Sequence, residues 1–398
     1  MIALEEAFDA IRARCAPLPA EDVPVAQACG RVLAAPVRAV RDQPAADISM
    51  MDGYALRAAE AGGPLRVIGE IAAGDEPWTN ALGAGEAARI FTGAPLPPGA
   101  DCVVMQEHAA RSGTEVRIAQ PPTSGQHIRR RGEELTAGAA ALPAGLVLGP
   151  TELSLAGACG AATVSVRRRP RVALLSTGSE LVPVGESPPP GKIIETNSLA
   201  LRPLCEQAGA EVRWLGIAHD STEAIAAKLR DADADLLLTT GGASVGDHDH
   251  AQAALEALGG GLVFHTVAIR PGKPVLFGTA SRGRLVFGLP GNPAAATLGF
   301  ELFVRLALRL LAGDPRPDRV RARARLRGTL QRVRGLTFFP RGRATVEGAT
   351  LAFAAGGQQS SMQIASWSGA NAMAVIPPGE GTVADGEEID ILLVGPPG

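Results

Sequence analysis

Leu236–Thr240 (LLLTT) runs straight into Gly241–Asp249 (GGASVGDHD). Leu262–Ile269 (LVFHTVAI) runs into Arg270–Pro274 (RPGKP), and Leu285–Phe287 (LVF) into Gly288–Pro293 (GLPGNP), where a helical pattern opens. Apolar runs that end in Gly/Pro-rich turns read as buried strands of a parallel α/β sheet, whose loops at the carboxyl ends converge on one crevice. Backbone N–H groups at glycine turns, a lysine and an aspartate would meet there, a combination suited to a phosphate-bearing ligand with a hard cation.

Outward from this stretch the strand–helix alternation continues. Val172–Ser176 and Val212–Ala218 read as strands. Ser198–Ala208, the segment after Asp220 and Gln252–Leu258 read as helices, with Asp220 as a cap and Glu223 as its capping-box partner. Asn292 as N-cap and Pro293 at N1 open a long helix through Leu311. The expected fold is a doubly wound, largely parallel sheet. Toward the N-terminus, Leu4, Ala7, Phe8 and Ile11 mark a helix, and a second short helix is expected near Val25–Leu33. Leu65–Ile71, Ala87–Thr92, Cys102–Gln106 and Glu115–Ile118 read as a small β module. Pro150–Cys159 is again helical, with Thr151 as N-cap. Past Asp314–Pro317, the runs Arg321–Leu330, Gly342–Phe353, Ala372–Ile376 and Ile389–Val394 read as an all-β, barrel-like domain. The division expected is a discontinuous helical domain (1–40 and 138–168), the β module (41–137), the α/β domain (169–313) and the C-terminal β domain (314–398).

A chain of 398 residues with 46% apolar content can build several cores. Gly (48) and Pro (31) sit between apolar runs, so they read as turns rather than disorder. A net charge of −3 gives no reason to expect nucleic acid, and no apolar run is long enough to span a bilayer. The five cysteines form no CxxC pair, which points to a reducing cytoplasm rather than a disulfide framework. Of 38 basic residues only Lys192, Lys228 and Lys273 are lysine. A lysine kept against that bias marks a use for a compact point charge.

Each candidate loop has a plain reading beside the functional one. Asp247 and Asp249 could hold Mg²⁺, or cap the next helix. His248 and His250 alternate beside aspartates and do not make a tetrahedral zinc set. Arg270–Pro274 fixes two cations for an oxyanion, or is a surface turn. Gly288–Pro293 sets a helix N-terminus against a glycine turn, as an anion site or as capping alone. Glu180 after Ser176–Ser179 reads as a ligand-side acid or a first-turn helix acid. Asp52-Gly53 reads as a turn, Met50 and Met51 as packing, and Tyr54 is the chain's only tyrosine. No P-loop is present.

Taken together, Ser49–Ala55 (SMMDGYA), Ile90–Pro95 (IFTGAP), Ala100–Glu107 (ADCVVMQE), Arg129–Glu134 (RRRGEE), Leu175–Leu181 (LSTGSEL), Glu195–Ser198 (ETNS), Thr240–Asp249, Ile269–Pro274 and Gly288–Pro293 resemble the molybdopterin molybdenumtransferase family, which includes the E domain of gephyrin. The resemblance implies insertion of molybdenum from molybdate into adenylyl-molybdopterin, with Mg²⁺-assisted release of AMP. It implies a cytoplasmic homodimer of four-domain subunits that works with molybdopterin-pathway enzymes and apo-molybdoenzymes. Asp52, Thr92, Glu180, Asp249 and Lys273 would be catalytic, with Asp52 and Thr92 contributed by the partner chain, and Asp249 and Glu180 beside the metal. Gly241, Gly242, Ser244, Glu195, Arg270, Pro290 and Gly291 would bind the pterin or oxyanion, with Arg341 and Ser361 at the molybdate pocket. This chain departs from the family by Arg270 and Thr266 where lysine is common, and by Glu134 and Glu195 where Asp is common. Gln358–Asn371 matches loosely. Two rivals are a molybdopterin adenylyltransferase, disfavoured by the flanking β domains, and a non-catalytic scaffold of the gephyrin type, disfavoured by Asp52, Asp249 and Lys273.

Overall fold

The computed structural model describes residues 1–242 and 250–398. They form two compact units, one of residues 1–21, 30–32 and 167–398, the other of residues 22–29 and 33–166. Helix α1 (Leu4–Arg12) belongs to the first unit. Its acids Glu5 and Glu6 lie in the first turn and Arg12 in the last, complementing the helix dipole. Ala7 and Ile11 are fully buried, and Phe8 packs on Phe303 with ring centroids 5.8 Å apart.

The unit of residues 22–29 and 33–166 is built on a six-stranded sheet. Its strands are β1 (Gly53–Leu56), β2 (Leu65–Ile71), β3 (Glu86–Ile90), β4 (Cys102–Met105), β5 (Ala109–Ser112) and β6 (Glu115–Ile118), in the order β4-β1-β3-β2-β6-β5. The Asp-Gly turn expected at 52–53 is the entry to the buried central strand β1. Gly53 is required there because a Cβ would lie 1.9 Å from the Val104 carbonyl oxygen across the ladder. Tyr54 is buried, whereas Met50, expected to pack, is 48% exposed. The helix expected over Val25–Leu33 shrinks to one 3₁₀ turn, Val25–Gln27, followed by Gly30 at φ +74°. Helix α2 (Pro150–Ala158) is capped by Gly149, whose N–H donates to the Glu152 carboxylate at 2.9 Å, and not by Thr151.

In the first unit, β7 (Arg171–Thr177), β8 (Glu211–Ala218), β9 (Leu236–Thr240), β10 (Gly261–Thr266), β11 (Pro274–Ala280) and β12 (Arg284–Leu289) form one sheet in the order β8-β7-β9-β12-β11-β10. The first four are parallel, and β11 and β10 add antiparallel at one edge. Continuous apolar runs such as Leu236–Leu238 are fully buried because helices cover both faces. One face carries α4 (Thr222–Arg230) and α5 (His250–Ala257). The other carries α3 (Asn197–Gln207), α6 (Pro293–Gly299) and α7 (Arg305–Leu311), the last two joined by a π-helical turn at Phe300–Val304. Ser221, not Asp220, caps α4, its hydroxyl accepting from the Ala224 N–H at 3.1 Å. A closed barrel follows, β13 (Arg321–Arg327), β15 (Thr350–Ala355), β14 (Arg341–Glu347), β16 (Ala372–Val375) and β17 (Glu388–Leu393) in ring order, filled by Leu326, Phe353, Ala374 and Ile391. Among the described residues no helix is long and apolar enough to cross a membrane.

Candidate functional site

The chain steps from β7 to β8 on one side and then returns to place β9 on the other side of β7. Strand order therefore reverses between β7 and β9, where the carboxyl ends of an open α/β sheet leave a crevice. Thr177 ends β7, Thr240 ends β9 and Leu289 ends β12, so their loops open on the same edge. Only glycine fits the first step beyond Thr240. Gly241 has φ +88°, and a Cβ on it would lie 2.2 Å from the Thr177 carbonyl oxygen. Its N–H donates to the Leu289 carbonyl at 3.1 Å, stitching the loops together.

Two adjoining cavities lie at this edge. One, of about 490 Å³, is lined by Thr177, Glu180, Glu195, Asp220, Gly241 and Gly242, with Pro290–Pro293 as one wall. Among the described residues it carries three carboxylates and no Lys or Arg. The other, of about 700 Å³, is lined by Arg270, Lys273, Phe338 and Gln358–Ser361, and among the described residues carries no carboxylate. Pro274, Pro290 and Asn292 line both, so the acidic and basic spaces are neighbours.

The carboxylates differ in what they are free to do. Glu195 is 3% exposed, and both oxygens are taken, accepting from the Ser198 N–H at 2.8 Å and the Ser198 hydroxyl at 2.5 Å. It therefore caps the first turn of α3. Glu180 is exposed and sits in a loop rather than the first turn of a helix, and its carboxylate has no partner among the described residues. Asp220 accepts from the Ser179 N–H at 3.2 Å through Oδ2, while its buried Oδ1 has no hydrogen-bond partner. Asn197 likewise donates to the Gly291 carbonyl at 2.9 Å and leaves Oδ1 buried and unpartnered. Sequence reasoning missed both residues as site groups. Asp220 was legible only as a residue just past the carboxyl end of β8, a signal masked by its resemblance to a cap.

In the basic cavity Lys273 is exposed and has no partner among the described residues. Lys192 and Lys228 instead donate to the Ser179 and Leu215 carbonyls, at 2.5 and 3.1 Å. Arg270 stands over the Phe338 ring, 5.6 Å from its centroid, which fixes the guanidinium without a carboxylate. Arg341, the first residue of β14, is fully buried behind the wall of Gln359–Ser361. Its Nε and Nη2 donate to the Ser366 hydroxyl (3.2 and 2.7 Å), and Nη2 also to the Ser360 carbonyl (3.1 Å); Nη1 has no partner. Burial without a compensating acid pushes this guanidinium down to about 10. Ser361 occupies the start of α6, its carbonyl accepting from the Ala294 N–H at 3.1 Å and its hydroxyl from Asn292 Nδ2 at 3.3 Å. The helix N-terminus expected at Gly288–Pro293 as an open anion site is thus filled by the chain itself. Asn292 makes no side-chain cap bond there.

In the other unit, Asp52 and Thr92 meet directly. The Thr92 N–H and hydroxyl both donate to Asp52 Oδ1 at 2.8 Å, and with the Arg89 charge they hold this carboxyl below its ordinary range. Ser244, Asp247, His248 and Asp249 lie outside the described residues. Among the described residues no three His, Cys, Asp or Glu side chains are grouped to hold a metal on their own.

Comparison with known proteins bears on this geometry. Residues 2–160 match the MoeA N-terminal region (domain I and II), 173–310 a probable molybdopterin binding domain, and 323–394 the MoeA C-terminal region (domain IV). A molybdopterin molybdenumtransferase of Nostoc sp. is 37% identical over 379 residues, covering 91% of this chain and 86% of that one. One of Staphylococcus aureus is 32% identical over 401 residues, covering 98% and 95%. Two crystal structures of a molybdopterin biosynthesis MoeA protein from Pyrococcus horikoshii superpose with TM-scores of 0.85 and 0.82. They are 31% and 29% identical, and cover 100% and 99% of this chain and the whole of theirs.

Proposed function

The chain belongs to the molybdopterin molybdenumtransferase (MoeA) family, and from that membership we propose how its cavities divide the work of molybdenum insertion. It is a transferase of molybdenum cofactor biosynthesis. The finer reading is that adenylyl-molybdopterin and molybdate are the substrates, that AMP leaves with the help of Mg²⁺, and that the enzyme acts as a cytoplasmic homodimer. Molybdopterin-pathway enzymes stand upstream and apo-molybdoenzymes downstream. We read the subunit as four domains, 1–40 with 138–168, 41–137, 169–313 and 314–398.

The observation that carries the proposal is the separation of charge between two touching cavities. A phosphate ester with a divalent cation needs carboxylates; a tetrahedral oxyanion needs cations; the reaction needs both within reach of one pterin. The residues present suit Mg²⁺. The orphaned Asp220 Oδ1 and the open Glu180 carboxylate are hard oxygen donors of the kind this ion takes beside ligand phosphates, with Asp249 assigned to the same role. Bound there, Mg²⁺ would neutralise the phosphates and polarise phosphorus for attack.

The chain's own residues do the rest. Gly241 and Gly242 line the acidic cavity with bare backbone, and they are assigned to the pyrophosphate, which can approach it closely. Glu195 holds the start of α3 in place through Ser198. Lys273 meets the oxyanion as a point charge and Arg270 as a fork. Arg341 supplies a buried positive charge behind Ser361 that no protein carboxylate cancels. Ser244 is assigned to the oxyanion with them, and Pro290 and Gly291 to the pterin wall. Asp52 and Thr92 are assigned to the reacting centre as residues of the second copy. The test is molybdate-stimulated release of AMP from adenylyl-molybdopterin by the purified protein. Asp249→Ala should abolish it; release at the wild-type rate would remove Asp249 from the mechanism.

A further inference from the structure

Asp52 sits at an end of the second unit's sheet where three elements meet. It precedes β1, Thr92 follows β3, and Gln106 follows β4. Both bonds from Thr92 fall on Asp52 Oδ1, so Oδ2 is left without a partner among the described residues. Behind this carboxylate stands Arg89, the penultimate residue of β3 and the cross-strand partner of Tyr54. Its guanidinium carbon lies 4.8 Å from the Phe91 ring centroid and 5.3 Å from that of Tyr54. Nη1 donates to the Gly53 carbonyl at 3.0 Å and Nη2 to Gln106 Oε1 at 2.6 Å, while the Gln106 N–H donates to the Asp52 carbonyl at 3.0 Å. Among the described residues Arg89 makes no ion pair.

We propose that Arg89 is a positioning residue for the molybdenum-insertion reaction. Clamped between two rings, it ties the backbone on both sides of the Asp52–Gly53 peptide and thereby presents Asp52 Oδ2 at a fixed place. This rests on the reading that Asp52 takes part in that reaction. The two aromatic faces attract the guanidinium and hold its plane in one orientation, so its two hydrogen bonds are aimed at fixed places. Each of its two bonds ends one step from Asp52, at the Gly53 carbonyl and at Gln106. Its charge also favours the ionised carboxylate. The other titratable groups on the elements that meet here are Tyr54 on β1, Glu86 on β3, Cys102 on β4, Arg66 and Glu70 on β2 (Glu70 opposite Arg89), and Glu107 and His108 in the turn after β4. Of these and Arg89, Arg89 is the charge that bears on Asp52.

The test uses full-length protein, with steady-state AMP release against molybdate concentration, and the Asp52 titration followed by ¹³C NMR of the carboxyl group without substrate. Arg89→Met should lower kcat about tenfold or more, leave KM for molybdate within about twofold, and move the Asp52 titration to higher pH. Arg89→Lys should bring the titration back, because the charge returns. It should restore kcat only in part, because one ammonium does not span the Gly53 carbonyl and Gln106. Should Arg89→Met fail to fold, Phe91→Leu removes one face of the clamp and should lower kcat in the same direction. A folded Arg89→Met enzyme with wild-type kcat, or one that loses kcat with the Asp52 titration unmoved, overturns the proposal. Asp52→Asn separates the two readings. Wild-type turnover there removes Asp52 from the reaction and this proposal with it. Loss of turnover there, beside a fully active Arg89→Met enzyme, removes Arg89 alone.

Discussion

Glu195→Ala and Glu195→Gln separate a structural carboxylate from a ligand-binding one. Glu195 lines the acidic cavity, yet both its oxygens are spent on Ser198, at 2.8 and 2.5 Å, with only 3% of the residue exposed. Alanine removes a charged acceptor from two donors at once and leaves the Ser198 N–H and hydroxyl short of a partner. Loss of an N-terminal cap costs about 0.5–2 kcal/mol, and each buried group left unsatisfied about 1–3 kcal/mol. Since water reaches the cavity side of this turn, about 2–3 kcal/mol in all is the expected cost, or a melting temperature lower by roughly 5 °C. Glutamine keeps an oxygen for the Ser198 N–H, and its amide can donate to the Ser198 hydroxyl, so about 1 kcal/mol of charge assistance is what it gives up. Thermal unfolding and molybdate-dependent AMP release on the same preparations decide the matter. The cap account expects Glu195→Gln to keep kcat within about threefold. Abolished turnover in Glu195→Gln at an unchanged melting temperature would refute it and return the carboxylate to the ligand.

Gly241→Ala should destabilise the α/β unit by about 2–4 kcal/mol, combining the left-handed backbone penalty with a Cβ 2.2 Å from the Thr177 carbonyl oxygen. A midpoint in thermal unfolding unchanged from wild type would contradict that geometry. Thr92→Val removes one of the two donors to Asp52 Oδ1 while keeping the N–H. Because hydrogen bonds to Thr92 hold Asp52 below its ordinary range, losing one raises its titration, and the rise of activity with pH should begin at higher pH. An acid limb that does not move would show that Thr92 does not tune this carboxylate.

What the sequence revealed and what it hid follow from how local each signal is. The strands Leu236–Thr240 and Leu65–Ile71 were legible to the residue because the first, an apolar run, lies between Asp235 and Gly241, and the second, an alternating run, starts directly after Pro64. Gly53–Leu56 was not, because Asp52-Gly53 carries a turn signal, while the reason for glycine lies in Val104 on another strand. Caps slipped by one or two residues, from Thr151 to Gly149 and from Asp220 to Ser221, since Thr, Ser and Asp compete for the same role. The Val25–Leu33 pattern stops after one 3₁₀ turn because Gly30 takes a left-handed backbone (φ +74°), although Ala28 and Leu33 are buried. At the site, Gly241, Gly242, Pro290 and Gly291 announced themselves by following strands, and they line one cavity. The burial of Arg341, by contrast, depends on closure of a barrel from five strands, and the occupancy of the α6 N-terminus depends on Ser361, some 70 residues away. No spacing in the chain encodes either.

On the proposed function the acidic and basic cavities are two halves of one reaction site. A crystal of the protein soaked with molybdate, Mg²⁺ and AMP tests it most directly, through the anomalous signal of molybdenum. The claim predicts molybdate in the basic cavity within hydrogen-bond reach of Lys273, and the AMP phosphate in the acidic cavity across Pro290–Asn292. Molybdate bound away from Lys273, with both cavities filled by solvent alone, would contradict it.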